Sequence, residues 1–129
     1  MSPPDMDLLN TKMDMDSLKS CMEGTVPLLL YFSAEPCTVC HAMLPKLQKA
    51  LLEMDDAEEG QDYHLFVIES EKHPEICGQL LVFTVPTLLI FWEGREVLRE
   101  SRFMDLKQAT RILSQIIESR SSGPGFCEE

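Results

Sequence analysis

No stretch of about 18 apolar residues occurs in the sequence, so no segment is read as spanning a membrane. The N-terminus has no basic segment followed by an apolar one, so no secretory signal is read there. Basic residues are scarce: 11 Lys and Arg stand against 22 Asp and Glu, a net charge of −11. That scarcity argues against nucleic-acid or anionic-membrane partners, both of which need a basic surface. Internal repeats are absent. The five cysteines are an odd number, and Cys21, Cys77 and Cys127 are scattered, which makes a poor disulfide framework. The expected compartment is the cytoplasm, where an isolated Cys-x-x-Cys points to catalysis or metal rather than to structural bridges.

What is present fits one globular α/β domain. Hydrophobic residues make up 44% of the 129, enough for a layered core without metal or disulfide support. Residues 1–13 carry Pro3 and Pro4 with no clear period and are expected to be a mobile lead-in. Residues 14–120 are expected to form the domain, and the Ser/Gly/Pro-rich 121–129 a disordered tail. The densest acidic run, 53–62, reads as a solvated loop.

Within the domain, 14–22 has helical spacing and Gly24 stops it. Residues 26–33 hold a continuous apolar run, Leu28 to Phe32, as suits a strand buried on both faces. A helix is expected over 38–54, with Leu44, Leu47, Leu51 and Met54 on one side and a kink at Pro45. Then come a strand over 64–69, a helix over 71–81 opened near Pro74, and a strand over 87–92. Glu93-Gly94 signals a two-residue hairpin leading into a strand over 95–101. Asp105 is read as the cap of the last helix, with Gln108 as its capping-box partner and Leu106, Ala109, Leu113 and Ile116 as the buried stripe. One mixed sheet with helices on both faces satisfies this order.

The chemistry concentrates at Cys37-Thr38-Val39-Cys40. The pair lies between a buried strand and a long helix, which places Cys37 at a helix N-terminus. Outward N–H groups and the positive dipole end stabilise a thiolate there. Such a thiolate attacks a substrate disulfide, and Cys40, one turn on, can resolve the mixed disulfide. Three other readings compete. Zinc needs four ligands, and His64 and His73 do not form a compact second pair. Residues 37–41 also match the Cys-x-x-Cys-His of c-type haem attachment, which belongs to exported proteins. The blandest alternative is two packing cysteines at a helix start. His41 is expected to face solvent rather than Cys37. Cys77 is expected to be a buried packing cysteine, Cys21 to pack under the first helix and Cys127 to be exposed. Trp92 is expected to pack on the sheet.

With these residues in view, the chain resembles a thioredoxin from about residue 26 to 118. Phe32-Ser33-Ala34-Glu35-Pro36-Cys37-Thr38-Val39-Cys40 resembles the active-site strand and loop. Pro45 matches the proline of the active-site helix. Val85-Pro86-Thr87 resembles the cis-proline loop, and Phe91-Trp92-Glu93-Gly94-Arg95 the hairpin after it. The resemblance implies a three-layer α/β/α fold whose central mixed sheet ends in a β-hairpin. It also implies that Pro86 is cis and faces the dithiol, with Val85 offering its backbone to an extended substrate chain. Pro36, Val85 and Pro86 are thus the expected substrate-binding residues, and Cys37 and Cys40 the catalytic ones.

The chain also departs from the family pattern. Pro36 replaces the Trp before the first cysteine, and Thr38-Val39 replaces Gly-Pro. Tyr31 stands at the buried Asp that helps move a proton off the resolving thiol. The accompanying Lys aligns near Val67. Losing both charges together is physically consistent, because a single unpaired buried charge is costly.

The first functional expectation is a monomeric thiol–disulfide oxidoreductase, a reductant in cell redox homeostasis. Its substrates would be protein disulfides, and its electrons would come from a disulfide reductase or a low-molecular thiol. No organic cofactor is implied. The alternative is a non-catalytic thioredoxin-fold module that binds a partner or senses redox state, which Pro36, Tyr31 and Val67 favour.

Overall fold

The computed structural model describes residues 6–8, 15–54, 63–102 and 104–122. In chain order these form β1 (Met6–Leu8), α1 (Met15–Met22), β2 (Leu28–Ser33), α2 (Thr38–Leu52) and β3 (His64–Glu69). A 3₁₀ turn (Ser70–Lys72) leads to α3 (Pro74–Leu80), β4 (Thr87–Trp92), β5 (Arg95–Ser101) and α4 (Leu106–Ser122). The strands make one sheet in the order β1-β3-β2-β4-β5. β3 runs parallel to β1 and β2, whereas β4 is antiparallel to β2 and β5 to β4.

The apolar run in β2 has a direct explanation in the layers. Successive side chains of a strand point to opposite faces. Leu29 and Tyr31 enter a core with Leu47 and Leu51 of α2 and Ala109 and Leu113 of α4. Leu28, Leu30 and Phe32 enter a second core with Met15 and Leu18 of α1 and Ile76 of α3. β4 does the same, with Leu88 and Ile90 on one face and Leu89 and Phe91 on the other. Both faces of the central strands are covered, so alternation with polar residues is lost. This is the three-layer α/β/α arrangement that the resemblance implies.

Local chemistry sets the element ends. β2 begins at Leu28 rather than at residue 26, because Pro27 has no N–H for the ladder. The hairpin between β4 and β5 is the expected two-residue turn: Glu93 and Gly94 both have positive φ, 54° and 80°. The helix expected over 71–81 is divided. His73 precedes Pro74, is pushed out of the helical region to φ −137°, ψ 57°, and separates the 3₁₀ turn from α3. The Oδ1 atom of Asp105 accepts the N–H of Gln108 at 3.1 Å, so the cap of α4 is made through the backbone of Gln108. α2 runs unbroken through Pro45.

One expectation is corrected in part. Met6–Leu8 lies in the segment read as a mobile lead-in, yet it forms β1, with Met6 paired to Leu65 and Leu8 to Val67. The open edge of β3 supplies the ladder partners, so three residues suffice without a period of their own. α4 reaches Ser122, two residues into the expected tail. Residues 1–5, 9–13, 123–129 with Cys127, and 55–62 of the acidic run lie outside the described residues. Among the described residues, no helix is long and apolar enough to cross a membrane.

Candidate active site

Cys37 occupies the N-cap of α2, with extended backbone at φ −88°, ψ 100°. Its Sγ accepts the N–H of Cys40 at 3.1 Å, and its carbonyl accepts the N–H of His41 at 3.2 Å. The Cys37 N–H donates to the carbonyl of Ala34 at 3.2 Å, closing the turn that leaves β2. The two cysteines are joined as a disulfide with Cα atoms 5.3 Å apart. Cys37 is half-buried, whereas Cys40 is fully buried. The less buried of the two cysteines thus has its sulfur at a backbone donor and at the positive end of a helix. Both favour its thiolate.

Tyr31 lies beneath the dithiol at the position where the family carries a buried acid. It is fully buried, and its hydroxyl donates to the carbonyl of Cys40 at 2.7 Å. Burial pushes its phenol up to about 12, so it is a neutral donor at physiological pH and not a base. Val67 is its direct neighbour in the β2–β3 ladder and is also buried. The two departures from the family pattern are thus adjacent in space, and an uncharged pair stands at those two positions. Tyr31 is a core aromatic that also ties the sheet to the first turn of α2.

The Val85-Pro86 peptide bond is cis, as the resemblance implies. The Thr87 hydroxyl donates to the carbonyl of Thr84 at 2.7 Å, closing the loop around the bond. The buried Pro86 offers its carbonyl to the N–H of Arg102 at 2.8 Å. Arg99 holds the approach to this loop. Its guanidinium donates to the carbonyls of Leu80 and Leu81 at 2.8 and 3.0 Å, at the left-handed C-terminal end of α3. Both carboxylate oxygens of Glu96 fix it from the other side, at 2.7 and 2.9 Å. That carboxylate raises Arg99 further above its ordinary value.

Pro36 and Val85 share a groove of about 580 Å³ beside the active-site turn, walled by Pro74, Val82 and the exposed Phe83. Glu71 is the charged residue on its wall. Pro86 does not line this groove; it is buried behind Val85. Cys77 is half-buried on the groove wall and packs only partly on the core, which corrects the expectation of a buried packing cysteine. Cys21 is half-buried against the second core, and Trp92 packs against the first while its Nε1 donates to the carbonyl of Thr25 at 2.9 Å.

Two contacts at the turn have no counterpart in the sequence reading. His41 is exposed as expected, but its Nε2 lies 2.8 Å from the carbonyl of Glu35. The N–H of Glu35 donates to Oε2 of Glu71 at 2.9 Å. That bond, with smaller contributions from the Glu71 backbone N–H and the neighbouring Lys72, lowers the Glu71 carboxyl from its ordinary value.

The cis-proline loop, the N-capping cysteine with its buried partner and the mixed sheet define a thioredoxin-type dithiol site. The chain belongs to the thioredoxin family, whose model matches residues 10–118. It is 38% identical over 87 residues to the thioredoxin-like protein YdfQ of Bacillus subtilis (strain 168), covering 67% of this chain and 72% of that protein. It is 29% identical over 90 residues to the thioredoxin-like protein slr0233 of Synechocystis sp., covering 70% and 78%. Among solved structures, the thioredoxin of Malassezia sympodialis matches with a TM-score of 0.70 at 15% identity, over 88% of this chain and 94% of that one. At that identity the likeness bears on the fold alone. Family and cysteine pair together support a thiol–disulfide oxidoreductase type of activity.

Proposed function

We propose that this protein reduces disulfides in protein substrates, with Cys37 as nucleophile and Cys40 as resolving thiol. The observation that carries this reading is the asymmetry of the pair: Cys37 is accessible at the N-cap of α2, and Cys40 is sealed behind it. The Cys37 thiolate attacks one sulfur of the substrate disulfide and expels the other as a thiolate. Cys40 then attacks Cys37 Sγ in the mixed disulfide and expels the second substrate sulfur. Two electrons pass to the substrate, whose sulfurs leave as thiolates and take up the Cys40 proton or protons from solvent, and the Cys37–Cys40 disulfide remains. Because Tyr31 stays neutral, the Cys40 proton goes to a departing thiolate or to water. A disulfide reductase or a low-molecular thiol restores the dithiol.

Pro36 and Val85 support the substrate chain from the shared groove, and the cis peptide at Pro86 sets the direction of the Val85 backbone. The protein acts in this reading as a cytoplasmic monomer, with neither nucleic acid nor membrane as partner. The test is insulin reduction in dithiothreitol. The wild-type chain accelerates precipitation of the insulin B chain and Cys37→Ser does not. A wild-type rate equal to dithiothreitol alone sinks the enzymatic reading. It would leave a binding or redox-sensing module, which the uncharged pair Tyr31 and Val67 would suit.

A further inference from the structure

The segment joining β2 to the dithiol is only Ala34-Glu35-Pro36, and both peptide groups flanking the Glu35 Cα are held by side chains from other elements. On one side the Glu35 N–H donates to Oε2 of Glu71, from the 3₁₀ turn that follows β3, at 2.9 Å. On the other side the Glu35 carbonyl lies 2.8 Å from Nε2 of His41, in the first turn of α2. A carbonyl can only accept, so Nε2 is the donor, whether the ring is neutral or charged. Glu35 and Pro36 are the two central residues of the turn closed by the Cys37 N–H on the Ala34 carbonyl, so the peptide groups on either side of the Glu35 Cα are left for partners outside the turn.

We propose that His41 and Glu71 form a two-sided clamp on Glu35 that sets Cys37 at the N-cap of α2. His41 is then a positioning residue for the nucleophile. The proposal rests on reading Cys37 as the reactive thiol. The Cys37 sulfur gains from the helix end only while its backbone keeps the N-cap conformation and its Sγ faces the N–H of Cys40. The turn upstream is closed by one backbone bond, from the Cys37 N–H to the Ala34 carbonyl. Releasing Glu35 leaves that bond alone to hold the turn against solvent. The clamp works through a donated hydrogen bond and not through imidazolium charge, so an amide of similar reach can replace the ring. The charged groups around it are the Glu35 and Glu71 carboxylates and Lys72, which is paired with Glu69 at 2.8 Å.

The test is the pH profile of Cys37 alkylation by iodoacetamide in the reduced full-length chain, read by peptide mass spectrometry so that each cysteine is followed separately. His41→Leu is expected to raise the apparent Cys37 pKa by half a unit to one unit, slowing alkylation below that pKa about three- to tenfold. His41→Gln keeps the rate within about twofold of wild type, because its amide restores the donor. Glu71→Leu opens the other jaw and is compared with Glu71→Gln, which loses the same charge but keeps an oxygen to accept the Glu35 N–H: Glu71→Leu is expected to show the higher Cys37 pKa of the two. Cys21, on the far core beside α1, alkylates at the wild-type rate in every variant, which separates a local effect from unfolding. A His41→Leu profile that superposes on wild type overturns the proposal, as does a His41→Gln profile that follows His41→Leu, or a Glu71→Leu profile that superposes on Glu71→Gln. Alkylation needs no disulfide substrate, so a chain that fails to reduce insulin still gives an answer about the clamp.

Discussion

Replacing Tyr31 by Phe removes one oxygen from the centre of the molecule and leaves the ring in place. Tyr31 is fully buried, and its hydroxyl reaches the carbonyl of Cys40 at 2.7 Å. Phe keeps the packing against Leu47, Val67 and Leu88 and strands no donor, since the donor itself is what disappears. The carbonyl remains available to its own helix. The expected cost is therefore one neutral hydrogen bond, about 1 kcal/mol, and not the larger penalty of an orphaned buried group. For a chain of 129 residues that corresponds to a fall in Tm of roughly 4 °C. Urea unfolding followed by circular dichroism measures it, with an unchanged m value. The same variant has a pH signature. The folded-state pKa is raised from 10.0 to about 12, so the contribution of this group to stability is complete below pH 10. It is lost as pH rises through about 12. Tyr31→Phe has no such group, so the gap between variant and wild type narrows over that window. A loss beyond about 3 kcal/mol would show that the Cys40 carbonyl depends on Tyr31 alone. No loss at all, or a gap that stays constant above pH 10, would refute the hydrogen bond as drawn.

Three further outcomes follow from separate contacts. Arg99→Ala removes the guanidinium that joins Glu96 to the end of α3, and should cost about 1–2 kcal/mol in the same assay. Arg99→Lys should recover only part of this, because an ammonium cannot satisfy two carbonyls and a bidentate carboxylate together. Asp105→Ala removes the cap of α4 and should cost about 1 kcal/mol, with Asp105→Ser recovering most of it. Cys40→Ser should accumulate mixed disulfides with protein substrates, visible on non-reducing gels, and adding Cys37→Ser should abolish them. Persistence in the double variant assigns the nucleophile elsewhere.

Where the sequence was informative, each residue's immediate neighbours along the chain decided the outcome. Leu28 to Phe32 reads as a doubly covered strand because every position is apolar, and the two cores take alternate residues. Glu93-Gly94 fixes its turn by itself. Pro74 opens α3, and the same proline forces His73 out of the helical region. What stayed hidden depends on residues distant in sequence. β1 exists through the edge of β3, some sixty residues on, as the pairing of Met6 with Leu65 shows. The bond from Glu35 to Glu71 spans 36 positions and that from Arg99 to Leu81 spans 18. Neither has a local pattern to betray it. His41 to Glu35 spans only six positions, but the chain turns between them, and helical periodicity says nothing about where a ring at the first turn meets the loop before it.

The dithiol itself was legible as two cysteines at a helix start; its working conditions were not. Tyr31 and Val67 are Cα partners in the ladder, so a buried acid at one and an amine at the other would compensate each other. Removing either alone would strand a charge, and this chain carries neither. The consequence falls on the second half of the exchange. Cys40 is buried, and the group beneath it is a phenol that holds its proton to about pH 12. Tyr31 therefore cannot take the Cys40 proton, which in the proposed reaction passes to a thiolate released by the substrate or to water. In the proposed reaction, the first step is then set by the protein, through the N-cap and the clamp on Glu35. The second is set in part by the acidity of the substrate's own thiol. With the thiol retained in the mixed disulfide held constant, substrates whose first-released thiol is the stronger base should be resolved faster, because that thiolate is the better acceptor for the Cys40 proton.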